Sequence, residues 1–114
     1  MPAAIGACYH GDPLPAGNNP HYWVVLGSAE KHLVMVSLTT PQTPPRPFAH
    51  RVTQADFPCL HHDSDVFWRG LNVFATETLA KMRPCGTAAH GAVRKLINEG
   101  RRRKLIPADM DAML

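Results

Sequence analysis

The amino-acid sequence predicts a single, mainly β domain with helices at its C-terminal end. Two apolar runs rich in β-branched and aromatic residues, at 21–27 and 32–38, are separated by a short turn, which is typical of an antiparallel hairpin. The last third of the chain changes to helical spacing. A chain of 114 residues has room for one hydrophobic core of ordinary size. We therefore expect one domain over residues 1–114, with a β part over about 7–75 and a helical segment over about 76–114.

Proline and glycine mark the ends of the predicted strands. Residues 11–20 contain three Pro and two Gly, which predicts a surface loop before the hairpin. A second proline-rich loop follows at 39–47, because proline removes a backbone donor and restricts the residue before it. A further strand is predicted at 66–74, with Gly70 at a bulge, and a short one at 48–53. The sheet then has four or five strands.

Three helical stretches are predicted after the strands. A helical turn, capped by its first residue, covers 76–82, and a longer amphipathic helix covers about 88–98 with Thr87 as its cap. Gly100 lies where this helix is expected to end. Pro107 indicates the start of a last short helix.

The composition excludes several classes of protein. A hydrophobic fraction of 45% with 18% charged residues is typical of a globular chain. No run approaches the roughly 18 apolar residues of a membrane span, and the N-terminus does not resemble a signal peptide, so we expect a cytoplasmic protein without a membrane partner. Cys8, Cys59 and Cys85 are an odd number at wide spacings, and we expect free thiols.

The densest group of metal-ligating residue types is Cys59-Leu-His61-His62-Asp63. Zinc sites need three or four converging ligands, usually from two spaced pairs, and neither pair is present. Adjacent His61 and His62 point to opposite sides of an extended chain, so only one of them can join Cys59. We expect no metal and no cofactor, and we favour a loop of solvated histidines beside a buried cysteine.

Positive charge is concentrated near the end of the chain. The net charge is +3, yet six of the 12 Lys and Arg lie within residues 94–104. Such a patch attracts phosphate groups by counterion release, although a solvated helix end has the same composition. The candidate nucleic-acid-binding residues are Arg94, Lys95, Arg101, Arg102, Arg103 and Lys104.

The hairpin and its flanks have a recognisable order of features. Gly17-Asn-Asn-Pro-His-Tyr-Trp-Val-Val-Leu26 is a loop followed by a strand, and Leu33-Val-Met-Val-Ser-Leu-Thr39-Thr40-Pro-Gln42 is a strand followed by a Thr pair and a Gln. Residues 11–45 thereby resemble the MazF/PemK-like toxins of toxin–antitoxin pairs, with fainter similarity over 56–59 and 62–68. That family has an SH3-like barrel with added helices, so the resemblance implies a small barrel of this type.

The same resemblance implies a ribosome-independent endoribonuclease that cleaves single-stranded RNA by driving a 2′-hydroxyl onto the adjacent phosphate. The reaction needs a base, an acid and donors for the charged phosphorane. The family commonly uses an Arg that opens the first core strand and a Ser or Thr that ends the next. Aligned on residues 24–26, these positions hold His21 and either Thr39 or Thr40, which are the candidate catalytic residues. A neutral histidine supplies one donor where arginine supplies a permanent charge, but it can act as an acid or base.

Two other functions stay open. The missing Arg, together with apolar Met110, Met113 and Leu114, indicates a non-catalytic module that binds a protein partner or nucleic acid. A DNA-binding regulator with its basic helix in a groove is a third interpretation, but a single helix lacks the companion of a helix-turn-helix. The candidate partners are an antitoxin, single-stranded RNA and a second copy of the chain in a homodimer.

Overall fold

Six antiparallel strands form one sheet that curls into a half-barrel, and short helices follow it. The computed structural model describes residues 5–13, 20–41, 50–89 and 91–114. The strands are β1 (Ala7–Gly11), β2 (His21–Ala29), β3 (His32–Thr39), β4 (Arg51–Val52), β5 (Ser64–Ala75) and β6 (Arg83–Thr87). Their order across the sheet is β4-β5-β3-β2-β1-β6. The predicted class, mainly β with C-terminal helices, is confirmed.

Three helices lie in the C-terminal part of the chain. A 3₁₀ helix spans Thr76–Lys81, α1 spans Ala92–Arg102 and α2 spans Ala108–Asp111. The 3₁₀ helix occupies the predicted helical turn, although Thr76 lies inside it and does not cap it. Pro107 directly precedes α2, as its position predicts. Within the described ranges, no helix has the length and apolar character needed to cross a membrane.

The hairpin of β2 and β3 confirms the predicted antiparallel pairing. Its register places Val24 opposite Val36. Residues 23–27 of β2 and 33–38 of β3 are buried. Both strands are therefore covered on their two faces, as their continuous apolar runs indicate.

The predicted strand at 66–74 is part of the longer β5, and its bulge at Gly70 is confirmed. Residues 68–71 of β5 stand opposite the single residue Val36 of β3. A Cβ on Gly70 would lie 2.5 Å from the Oγ of Ser37. Glycine is needed here because a side chain would collide with the Ser37 side chain.

Parts of the remaining predicted segments lie outside the described residues. This holds for residues 14–19 of the first predicted loop and for residues 42–49, which include most of the second. The short strand predicted at 48–53 is observed as β4, with its first two predicted residues outside the described ranges.

Both faces of the sheet carry an apolar cluster, because side chains alternate along each strand. The larger cluster lies on the face that α1 covers, and the smaller one lies on the opposite face beside the 3₁₀ helix. The larger cluster includes Val24, Val36, Leu38, Val66, Val93 and Leu96. The smaller cluster includes Trp23, Val25, Leu33, Met35 and Phe74.

The bounds predicted for the longer helix are wrong at both ends. Thr87 ends β6 instead of capping a helix, and α1 begins at Ala92 after Gly91, whose φ is 87°. At the other end, α1 continues through Gly100. A Cβ at this position would lie 2.5 Å from Cη2 of Trp68, so glycine serves close helix packing and does not end the helix.

The strand β6 lies within the segment predicted as helical, and it raises the sheet to six strands. Its sequence contains Pro84 and Gly86, both of residue types that are depleted in strands. They are tolerated because β6 lies at the edge of the sheet, where its outer side needs no backbone donors. Its inner side pairs with β1.

The expectation of free thiols is wrong for two of the three cysteines. Cys59 and Cys85 form a disulfide with their Cα atoms 5.3 Å apart, while Cys8 is free and buried. The fold brings together residues that are separated by 26 positions in the sequence, which a count of cysteines does not reveal. Since disulfides persist mainly in oxidising compartments, the cysteines no longer favour a reducing one.

Candidate functional site

Cross-strand pairing brings four polar residues into one row at an end of the sheet. Thr39 of β3 lies opposite Asp65 of β5, which lies opposite Arg51 of β4. The register of β2 and β3, continued by one residue beyond its last pair, places His21 opposite Thr39. Directly opposite residues in an antiparallel pair share a face of the sheet. These four residues, His21, Thr39, Asp65 and Arg51, are called the polar row.

Asp65 is the buried member of the polar row, with only 7% of its surface exposed. Its Oδ1 accepts a hydrogen bond of 2.7 Å from Nε of Arg51. A buried carboxylate is costly unless it is paired, and this bond pairs it. The Arg51 side chain is 45% exposed and carries four further N–H donors, so it can bind an anion while Asp65 holds it.

The two threonines are separated by the end of β3. Thr39 is the last residue of the strand, is partly buried and belongs to the polar row. Thr40 follows the strand and is exposed. Of the two candidates for the hydroxyl position, the structure therefore places Thr39 beside the other polar side chains.

His21 opens β2 and is partly buried. Its cross-strand neighbour on β1 is Gly11, which has no side chain to cover the imidazole. The carbonyl of Gly11 accepts a 3.2 Å hydrogen bond from Nε1 of Trp23, the next residue of β2 on the same face. This bond holds the ends of β1 and β2 together beside the imidazole.

Much of the charge in the basic segment is engaged in ion pairs. Arg101 donates to Asp111 at 2.6 Å, and both Arg102 and Arg103 donate to Glu99. Hydrogen bonds from Arg102 and Arg103 lower the pKa of Glu99 from 4.5 to about 2. Three of the six predicted nucleic-acid-binding residues thus form ion pairs near the end of α1. The other three, Arg94, Lys95 and Lys104, are exposed.

The basic segment does not lie in the polar row. Helix α1 packs on the larger cluster through Ala92, Val93 and Leu96. That cluster is on the face opposite the polar row, because its strand residues alternate with those of the row. The polar row and the packed residues of α1 therefore lie on opposite faces of the sheet, while Arg103 and Asp65 both act on the pKa of His50, which burial lowers first.

The Cys59, His61 and His62 group does not form a metal site. Cys59 is bonded to Cys85 and is not available as a ligand. His61 and His62 are exposed. Over the described ranges, no group of three or more His, Cys, Asp or Glu is arranged to hold a metal ion.

Two residues of the polar row are missed by sequence reasoning. Asp65 has a local signal, since it is an acidic residue directly before the apolar run 66–68. Arg51 has no such signal, because only the pairing of β4 with β5 brings it to Asp65.

Neither the protein-family models nor the curated proteins contain a match to this chain. The similarity to MazF/PemK-like toxins therefore depends on the residues quoted for it.

Proposed function

We propose that the polar row is the catalytic groove of a toxin-like endoribonuclease that cleaves single-stranded RNA without a metal. The observation that carries this proposal is the cross-strand row itself. It combines an imidazole, a hydroxyl, a buried carboxylate and a guanidinium on one face. The barrel in this proposal is the SH3-like type found in MazF/PemK-like toxins.

The proposed reaction is an internal transfer of the RNA phosphate. The 2′-oxygen loses its proton and bonds to phosphorus, while the bond from phosphorus to the 5′-oxygen breaks and that oxygen gains a proton. The products are a 2′,3′-cyclic phosphate and a free 5′-hydroxyl. His21 takes the proton of the 2′-hydroxyl or gives one to the 5′-oxygen, because an imidazole ring can do either, and water exchanges the other proton. Thr39 and Arg51 donate to the phosphate oxygens, where negative charge develops.

The family resemblance implies an arginine at the position that His21 occupies. In this proposal Arg51 supplies that guanidinium instead. Adjacent strands lie about 4.8 Å apart, so two strand spacings separate the backbones of His21 and Asp65. The Arg51 side chain crosses the next spacing to reach Asp65. It thereby adds a permanent cation to the row from a different strand, with four N–H donors besides the one that binds Asp65.

Cleavage of an unstructured, end-labelled RNA in the presence of a chelator tests the proposal. We expect the wild-type protein to cleave, His21→Ala to lose roughly 100-fold or more of the rate, and Thr39→Val to lose roughly tenfold. Thr40→Val is the matched control, because it removes the same hydroxyl one residue beyond the row. Cleavage at the wild-type rate by both His21→Ala and Thr39→Val would overturn the assignment.

A groove beside α1 favours a second candidate function, a non-catalytic module that binds a protein partner. This groove has a volume of about 560 Å³, and Ile5, Leu26, Ile97 and Leu114 contribute apolar surface to it. Arg94 and Arg101 lie on its α1 side and give it positive charge. An acidic, amphipathic segment, such as one supplied by an antitoxin, matches this surface.

Expression in a growing host separates the two candidates. Growth arrest that requires His21 and Thr39 supports the nuclease. Growth arrest that persists in a His21→Ala, Thr39→Val double variant, but disappears in Ile97→Asp, supports the partner-binding module.

A further inference from the structure

Three aromatic side chains cluster at the start of β2, on the face opposite the polar row. His10 of β1 is the direct cross-strand neighbour of Tyr22. Their ring centroids are 4.6 Å apart with an interplanar angle of 54°. His61, from the loop before β5, meets the Tyr22 ring edge-on at 6.1 Å. These residues, His10, Tyr22 and His61, are called the histidine–tyrosine cluster.

Positive charge surrounds this cluster. Arg83 of β6 is the cross-strand neighbour of His10 and is exposed. Burial first, and then the fields of Arg83, His61 and His21, lower the pKa of His10 below its usual 6.5. Asp12, the residue after β1, is acidic and has an interaction of its own. The groups that act on His10 from β2, β6 and the His61 loop are thus basic.

The disulfide holds the two sides of the cluster together. Cys59 lies two residues before His61, and Cys85 lies two residues after Arg83. The same loop is also fixed by a hydrogen bond of 2.7 Å from the backbone N–H of Ala89 to a loop carbonyl. The loop is thereby tied to the edge of the sheet on which Arg83 lies. The aromatic rings and the arginine are brought together before any ligand binds.

The aromatic rings and the arginine match the two recognisable parts of one nucleotide, its base and its phosphate. Nucleobases stack on tyrosine and histidine rings in proteins that bind single strands. Guanidinium and imidazolium groups donate charge-assisted hydrogen bonds to phosphate. The cluster and the polar row lie on opposite faces of the same end of the sheet, because Tyr22 directly follows His21 in β2.

We propose that the histidine–tyrosine cluster and Arg83 form a nucleotide subsite for single-stranded RNA, with the base on the rings and a phosphate at Arg83. The proposal rests on the proposed function, and it assigns the flanking nucleotide of the substrate to this face. An RNA strand would then pass around the start of β2, from the subsite to His21.

Binding of a fluorescent, 2′-O-methylated single-stranded oligonucleotide, followed by anisotropy, tests the subsite without cleavage. We expect Tyr22→Leu and Arg83→Gln each to weaken binding roughly tenfold, since one base stack and one phosphate contact are lost. Tyr22→Phe is the control that retains the ring. Arg69→Gln is the control that removes an exposed arginine of β5, and both controls should bind like the wild type.

The pH dependence of oligonucleotide binding provides a second test of the subsite. Because the pKa of His10 is lowered from 6.5, its imidazole becomes positively charged only below pH 6.5. We therefore expect affinity for the oligonucleotide to increase as the pH falls below this value. Replacement of both His10 and His61 by Gln should remove this increase. A pH dependence unchanged in that double variant would contradict the subsite.

The possible results separate the subsite from the catalytic proposal. Oligonucleotide binding that requires Tyr22 and Arg83 supports the subsite even if the wild-type protein cleaves no RNA. Cleavage that requires His21, with oligonucleotide binding unchanged in Tyr22→Leu and Arg83→Gln, overturns the subsite alone. A response of both histidine rings to inorganic phosphate in NMR spectra, equal to their response to a nucleotide, also overturns it.

Discussion

At the scale of single residues, the pairing of Asp65 with Arg51 is the interaction on which the polar row depends. The carboxylate is buried, and its hydrogen bond to Nε of Arg51 spans two adjacent strands. Removal of the arginine leaves the carboxylate without this partner, whereas removal of both side chains leaves no buried charge. The summed losses of stability in the two single variants are therefore expected to exceed the loss in the double variant.

A double-mutant cycle measures this coupling. We expect Arg51→Ala to lower the free energy of unfolding by about 2 kcal/mol, and the double variant with Asp65→Ala to lose less than the sum of the two single variants. Urea unfolding provides the measurement. Arg69→Ala, an exposed arginine on β5, should change stability by less than about 0.5 kcal/mol. Additive effects at positions 51 and 65 would show that the pair is not coupled.

At the scale of elements, the packing of α1 on the sheet depends on the absence of a side chain at Gly100. A Cβ there would lie 2.5 Å from Cη2 of Trp68 and 2.8 Å from Cδ1 of Ile106. Helix propensity favours alanine over glycine by about 1 kcal/mol, while overpacking of a filled site costs about 1–3 kcal/mol. The steric cost is the larger of the two.

Gly100→Ala should therefore destabilise the protein by up to about 2 kcal/mol, although alanine is the better helix former. Thermal unfolding followed by circular dichroism measures the effect. Asn98→Ala, at an exposed position of the same helix, serves as the control and should leave stability unchanged or slightly increased. A stabilised Gly100→Ala variant would mean that α1 can move away from Trp68.

At the scale of the whole molecule, the disulfide joins the loop before β5 to the edge strand β6. It closes a loop between residues that are 26 positions apart in the sequence. In the chain-entropy view, a loop of this length stabilises the folded state by about 3.5 kcal/mol, because it restricts the unfolded chain. The bond also connects the two sides of the proposed nucleotide subsite.

We expect Cys59→Ser, and reduction of the wild-type protein, to lower the free energy of unfolding by about 2–4 kcal/mol. Urea unfolding with and without a reducing agent provides the comparison. Cys59→Ser, which lacks the disulfide, serves as the control for the reductant, because its stability should not change when the reducing agent is added. Equal urea midpoints for the oxidised and reduced wild-type protein would contradict a stabilising bond.

Much of the fold was predictable where the physical signal is local. The apolar runs predicted β2 and β3 and their antiparallel pairing, and Gly70 predicted the bulge in β5. The bounds of α1 and the presence of β6 were not predictable in this way. Locally, Gly100 favours the end of a helix and Pro84 disfavours a strand. Close packing overrides the first preference, and a position at the sheet edge overrides the second.

The family resemblance offered His21 and either Thr39 or Thr40 for the polar row, whereas the sequence by itself determined the class of the fold and the central hairpin. Periodicity and residue type are sufficient for these, because they act over a few neighbouring residues. Only the tertiary structure decided the addition of Arg51 and Asp65, the histidine–tyrosine cluster and the disulfide. Each of these joins residues distant in the chain, and the physical reason is that the pairing of segments far apart in the sequence sets which side chains meet.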